Sequence, residues 1–518
     1  MSRNLRRSLG RALLACSVPV LLIGCGRRLV RELVPPAEIR TLDERSPFLK
    51  AHLADGSVYE LSEWRVDSTR AEITGSGRLL DADRRVVRSG DVRFPADSVV
   101  LFETNVTERS GAAVAITVMA GVTAAVAGFC AISPKTCFGS CPTFYAPGPD
   151  GEMVLQAEGF SSSIAPALEA SDVDMLLHTR PTGRAYTLRV TNEALETHVI
   201  RHADLLAVRR PEDARVYMTS DGTFIAASEA TRPTRCSAPD GDCLSSVLEA
   251  DGLERASAAD SANLAARETI ELEFTDVPDG ALGLVLVSRQ TLMTTFLVYQ
   301  ALAYMGTDAG RWLALLETGG SEARELADGI GRELGDIEVL RPVAGGEWTL
   351  VGSVGEAGPI ASDTRVVPLD RAAGSPLRLR LRLTRGLWRL DQVSLVTLRG
   401  AVTPERVPPA RVTRAGTRDD AALDALTDPE RTLVTMPGDA YEIHYELPED
   451  PAFHELFLDA RGYYLEWMRQ EWIAEENPLL AESMMLDPAG SLRALAPAFK
   501  EYEPTADSLF WSSRYGTR

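Results

Sequence analysis

From Phe48 to Val106 apolar and polar residues alternate in short runs broken by turn residues: "FLKAHL", "SVYELSEWRVD", "AEITGSGRLLD", "VVRSG" and "VRFPADSVVLFETNV". A repeat of two predicts strands with one face inward. These runs predict a small β-barrel-like module over residues 47–108. The pattern then changes. Residues 112–132, "AAVAITVMAGVTAAVAGFCAI", hold no charge for 21 residues, long enough to span a bilayer. Alanine, glycine and threonine dominate them, so the drive to insert is marginal. The stretch reads as an apolar helix, either packed on the protein or lying at a membrane surface, or as a transmembrane span.

Strand patterns resume at 133 and run to 400. "CPTFYA", a Pro147 to Gly151 turn and "MVLQAEGF" predict a hairpin, and "AYTLRVTNEALETHVIRHADLLAV", "ETIELEF" and "LGLVLVSRQT" predict further strands. A helical insert is expected near 290–334. Its first helix, "LMTTFLVYQALAYMG", lies in a stretch without charge between Arg289 and Asp308 and reads as core, paired with a helix in "DAGRWLALLETG". Ser321 opens a further helix with Leu326, Ile330 and Leu334 on one face. In "LRLRLRL" the alternation sends leucines inward and Arg378, Arg380 and Arg382 outward, with an anion-binding stripe as the competing reading. Residues 133–400 therefore read as a large β-sandwich domain with inserted helices. After "VPPARVTRAG" the composition shifts, and 401–518 reads as a C-terminal β/α extension. The expected fold class is mainly β (β+α).

The chain has 518 residues, 45% apolar and 25% charged, which suits buried cores and excludes bulk disorder. A formal charge of -20 argues against nucleic acid and anionic lipid head groups, since clustered Lys and Arg carry such contacts. The N-terminus has a basic start at Arg3, Arg6, Arg7 and Arg11, an apolar run from Ala12 to Gly24, and then Leu22-Ile23-Gly24-Cys25. It resembles a bacterial lipoprotein signal. The resemblance implies cleavage of 1–24, lipidation of Cys25 with diacylglycerol and acyl chains such as palmitate, and a tether over 25–46. Gly26 after the cysteine implies the outer membrane, with the chain on its periplasmic or surface-exposed face.

Export places the cysteines where disulfides persist. With Cys16 removed and Cys25 lipidated, five remain, an odd number. Cys236 and Cys243 bracket the turn "SAPDGD" and are expected to pair. In "CFGSCPTFY" a c-type haem would need a histidine after the second cysteine, where Pro142 stands, and a redox pair is normally spaced two apart. A structural disulfide among Cys130, Cys137 and Cys141 is the expectation, with Cys137 to Cys141 the favoured pair.

Catalytic signatures are absent from the sequence: no Gly-x-Ser-x-Gly elbow, no His-Glu-x-x-His pair, no phosphate loop and no EF-hand loop. His198 and His202, four apart on a predicted strand, read as a solvated face rather than a zinc site. Glu193 and Glu196 are candidates for paired carboxylates, but Asn192 with Glu193 reads better as a turn. The aromatic run Tyr463, Tyr464 and Trp467, together with Trp388, is the candidate ligand surface, with core burial the competing reading. No catalytic residue, metal ligand or cofactor is assigned.

"SCPTFY", its hairpin, "AEGFSSS" and "VTNEALETHVIR" resemble a group of uncharacterised exported bacterial lipoproteins with a Ser-Cys-Pro-aromatic-x-Tyr hairpin and a Thr-Asn-Glu-x-x-Glu-Thr strand. The resemblance implies location and a β-rich fold and carries no activity. The expected function is that of a membrane-anchored envelope lipoprotein with a structural, binding or assembly role. Its partners would be the membrane, through the N-terminal lipid and the 112–132 helix, and an envelope protein or glycan. The alternative is a carbohydrate-binding or carbohydrate-active surface protein.

Overall fold

The computed structural model describes residues 27–109 and 141–513, apart from short stretches within them such as 313–327. The signal over 1–24, Cys25, the apolar stretch 112–132, Cys130 and Cys137 lie outside the described residues. The chain divides into two units, Met1–Phe129 and Cys130–Arg518. Strand dominates both, so the fold is mainly β.

In the first unit six antiparallel strands form one sheet in the order Arg27–Val34, Val99–Arg109, Leu49–Leu53, Val58–Asp67, Glu72–Leu80, Val86–Pro95. Alternate side chains, among them Leu49, Leu61, Trp64, Ile73 and Phe102, fill one core. Gly77 is required by backbone approach: a Cβ there would lie 1.9 Å from the Glu60 carbonyl oxygen. The expected tether needs correction. Residues 27–34 are an edge strand, pairing from Arg27↔Arg109 to Val34↔Phe102. This segment satisfies the backbone groups along one edge of Val99–Arg109, opposite the edge that pairs with Leu49–Leu53.

The second unit stacks four sheets. The first has the order Thr417–Arg418, Arg411–Arg414, Ala440–Glu446, Ala185–Thr191, Thr143–Pro147, Met153–Glu158. It packs on a second sheet of Glu405–Val407, Glu196–Arg209, His454–Glu466 and Ala170–Met175, with Phe144, Leu188, Leu205, Ile443 and Leu458 between them. The other face of the second sheet meets a third through Leu206, Phe457, Val216 and Val285. That third sheet closes on itself: Phe224–Thr231 pairs with both Ala214–Met218 and Trp388–Ala401, and Asp363–Leu369 and Leu282–Gln290 complete the ring. Its far side shares a core with the fourth sheet, built around Arg267–Phe274, Leu377–Thr384 and Ile337–Pro342.

This stacking explains the apolar runs. Along Leu282–Gln290, Leu284 and Leu286 face the fourth-sheet core while Val285 faces the second sheet. A strand covered on both sides needs apolar residues on both. The closing strands also overturn the boundary at residue 400. Val407, Ile443 and Leu458 belong to the core begun by Phe144 and Leu188, so the 401–518 segment completes the first two sheets rather than extending them.

The arginines of "LRLRLRL" project outward, as expected, and face carboxylates. Arg378 pairs with Glu273 (3.2 Å), Arg380 with Glu271 (2.9 Å) and Arg382 with Glu338. The neighbouring strands match the stripe charge for charge, which removes the anion-binding reading.

The described helices are α1 (Met293–Met305), α2 (Gly329–Leu334), α3 (Asp420–Thr427), α4 (Pro478–Leu486), α5 (Pro488–Tyr502) and α6 (Ala506–Ser513). Asn-Pro and Asp-Pro pairs start α4 and α5: Asn477 accepts from the Leu480 amide at 3.3 Å and Asp487 from the Gly490 amide at 2.9 Å. The helix expected to follow α1 and the start of the one from Ser321 fall largely outside the described residues. Among the described residues no helix is long and apolar enough to cross a membrane.

Candidate functional site

The segments that looked distinctive in the sequence converge at one end of a cleft in the second unit. Cys141 and Pro142 lead into Thr143–Pro147, and Glu158 ends its hairpin partner. The turn that follows carries Phe160 at a φ of 40°, a left-handed conformation unusual for a phenylalanine. Gly462 makes room for it, since a Cβ there would lie 2.9 Å from the Phe160 ring and 2.1 Å from the Val199 carbonyl oxygen. The turn presents the Ser161 carbonyl, which accepts from the Tyr464 hydroxyl at 2.9 Å and from the Cys141 thiol at 3.7 Å.

Asn192 builds the neighbouring turn. Its Nδ2 donates to the carbonyls of Glu196 (3.0 Å) and Thr435 (3.1 Å), and its Oδ1 accepts from the Ala194 amide. Glu193 is drawn away from Glu196, accepting from Tyr145 (3.1 Å) and Thr191 (2.9 Å). The two glutamates therefore take different partners, Glu196 meeting His198. Glu196 and His198, two apart on one strand face, are both fully buried, with Oε1 and Nε2 2.6 Å apart. His202 instead meets Asp459 at 3.2 Å. A bulge between Ile200 and His202 puts the second imidazole out of step, so the histidines do not converge. The expectation of a solvated face fails for His198, which lies inside. Among the described residues no group of three or more His, Cys, Asp or Glu is placed to hold a metal.

Cys141 corrects the disulfide expectation on one count. It is a free, buried thiol, so it is not the partner of Cys137. Burial, with the Glu158 and Glu196 carboxylates nearby, raises its pKa well above the usual thiol value. Burial likewise raises the Tyr464 phenol. Both groups donate to the Ser161 carbonyl and so form part of one hydrogen-bonded wall. The other expected pair forms: Cys236 and Cys243 are joined by a disulfide.

The candidate ligand surface is also corrected. Trp388, Tyr463, Tyr464 and Trp467 have relative exposures of 1%, 0%, 7% and 4%. The last strand of the second sheet carries Tyr463 and Tyr464 between two layers, and the Trp467 indole donates to Thr197 Oγ1 at 3.0 Å. Tertiary stacking, invisible to a local pattern, buries all four, and only Trp388 and Tyr464 contribute to the lining of the cleft.

The cleft itself encloses about 970 Å³, within the size range of small-molecule sites. Its polar lining includes Cys141, Glu158, Ser161, Glu196, Tyr464 and Glu466, and also Arg267, Asp336, Glu338 and Ser353. Apolar lining comes from α1, through Leu297, Val298, Leu302 and Met305, from α2, through Ile330 and Leu334, and from α4, through Met484 and Met485. Glu158 ties the wall across modules, accepting from the Ile360 amide at 2.7 Å. Gly358 leaves room for that carboxylate, which would lie 2.2 Å from a Cβ. The sequence marked α1 as core through its uncharged run, and the structure leaves part of it bordering the cleft. Nothing local marked α2 or α4 as contributing to the same lining.

No protein-family model matches the chain, and no curated protein matches it. Among solved structures, the GH31 α-xylosidase of Xanthomonas citri aligns at 8% identity and a TM-score of 0.13, over 85% of this chain and 37% of that enzyme. The secreted serine protease VesC of Vibrio cholerae aligns at 9% identity and a TM-score of 0.12, over 72% of this chain and 99% of the protease. The chain spans little more than a third of the xylosidase. Likenesses this faint carry no argument about fold or activity.

Proposed function

We propose that this chain is a lipid-anchored, non-enzymatic binding protein of the bacterial cell envelope, holding a largely apolar ligand in the cleft of its second unit. The observation that carries the reading is a cleft of about 970 Å³ with many aliphatic side chains in its lining. Its thiol and phenol are pushed toward their protonated forms, which suits holding a molecule rather than transforming it. The lipoprotein-like sequence around Cys25 and the disulfide between Cys236 and Cys243 support the exported location. The carbohydrate alternative named Trp388, Tyr463, Tyr464 and Trp467 as a surface; Tyr463 and Trp467 are core, while Trp388 and Tyr464, themselves almost fully buried, line the cleft.

Two measurements test the reading. Metabolic labelling with a tritiated fatty acid should mark the wild-type chain and not Cys25→Ser; labelling that persists in the variant rejects the anchor. Titration of the full chain with the apolar fluorophore N-phenyl-1-naphthylamine should give saturable enhancement. A linear, unsaturable signal rejects the binding role.

A further inference from the structure

We infer that the occupant of the cleft is an acyl chain of a membrane glycerophospholipid, laid along α1; this rests on the binding reading proposed above. Helix α1 is the reason. It carries no charged residue from Met293 to Met305 and is apolar around most of its circumference. Leu297 packs into the core shared with the fourth sheet, while Tyr299, Leu302 and Ala303 pack into a separate cluster with Trp472 and Phe510. A helix apolar on all sides is normally enclosed on all sides. Here a strip of it borders the cleft instead, from Thr294 in the first turn to Met305 in the last.

The dimensions fit a chain rather than a compact ligand. Eleven residue steps along α1 cover roughly 17 Å. One leaflet of bilayer hydrocarbon is about 15 Å deep, half of a core of about 30 Å. Helix α4 packs against α1, and its Met484 and Met485 add thioether side chains to the lining, which adapt to a flexible partner. Polar groups also line it, with Ser161, Tyr464, Gln290, Arg267 and Ser353 beside the carboxylates of Glu158, Glu196, Glu466, Asp336 and Glu338. An amphiphile needs both kinds of wall, aliphatic side chains for its tail and polar groups for its head. A protein on a lipid tether would meet such chains at high local concentration. The formal charge of -20 disfavours anionic lipids, so zwitterionic phosphatidylcholine is the appropriate probe.

The test is photolabelling of the full chain with phosphatidylcholine vesicles that contain a diazirine-bearing acyl chain, with adducts located by peptide mass spectrometry. Adducts are expected on α1 and on Met484 or Met485, and excess unlabelled phosphatidylcholine should compete them away. Ala301→Trp, which fills the cleft, should lower this labelling about tenfold or more, the loss expected when several methylenes no longer find burial. Val298→Phe is a second, milder filling variant, and melting followed by circular dichroism identifies whichever variant keeps its fold. Leu479→Trp, at an exposed position on α4, should label like wild type. Adducts that avoid α1 and α4, or that are equal in the folded filling variants and wild type, overturn the inference. Saturable fluorophore binding without α1 adducts would reject the acyl chain and leave the binding role standing.

Discussion

Replacing Trp467 separates a core tryptophan from a sugar-stacking one. The residue is 4% exposed, its indole nitrogen donates to Thr197 at 3.0 Å, and its amide donates to the Leu195 carbonyl at 3.0 Å. A buried tryptophan removes about 150–250 Å² from water, worth about 4–6 kcal/mol at about 25 cal/mol per Å², an upper bound because the unfolded chain already buries part of that area. Relaxation around the cavity brings the expected cost of Trp467→Ala to about 3–5 kcal/mol. Trp467→Phe keeps most of the area and loses the hydrogen bond, leaving the buried Thr197 hydroxyl one partner short, at a cost of about 1–2 kcal/mol. Urea unfolding followed by far-ultraviolet circular dichroism should therefore rank wild type, phenylalanine and alanine in that order, with the larger gap at alanine. A change below about 0.5 kcal/mol for Trp467→Ala, the scale of a surface substitution, would refute the burial argument. So would a loss of glycan binding at unchanged stability.

Three further outcomes are expected. Because burial and the Glu158 and Glu196 carboxylates keep the Cys141 thiol protonated, iodoacetamide at pH 8 should leave Cys141 unmodified in the folded chain and label it in urea; rapid labelling of Cys141 in the native chain, read by peptide mapping, would contradict this. Cys236→Ala with Cys243→Ala opens a loop of sequence separation 7 and should cost about 2.5 kcal/mol by loop entropy, read as a lower urea midpoint; an unchanged midpoint would count against it. Asp174 is buried near Asp172 and Asp363, and burial raises the pKa of both Asp174 and Asp363. A raised carboxyl pKa means the folded state binds the proton more tightly, so this contribution is present in acid and is lost as pH rises through the elevated folded pKa. Asp174→Asn should thus raise the melting temperature at pH 7.5 and change it little near pH 4; an equal shift at both would contradict the assignment.

The sequence by itself determined what depends on neighbours along the chain. Alternation placed the strands of the first unit and aimed Arg378, Arg380 and Arg382 outward, because side chains on a strand point alternately to its two faces. Cys236 and Cys243 could be paired because a short turn lets only near neighbours meet. The helix start at Asn477-Pro478 was present in the residues as a capping signal, and the Asn192 turn was read from its composition. Tertiary structure decided everything that depends on what lies across a layer. Residues 27–34 have the composition of a tether and become a strand because Val99–Arg109 leaves an edge to be paired. Tyr463 and Trp467 have the composition of a binding surface and become core because the 401–518 segment returns to finish sheets begun more than two hundred residues earlier. Cys141 lies in a stretch suited to a disulfide and keeps its thiol, hydrogen-bonded to the Ser161 carbonyl. The cleft arises in the same way, since its walls come from distant segments whose apolar faces are ordinary one at a time and form a site only when packing leaves a space between them.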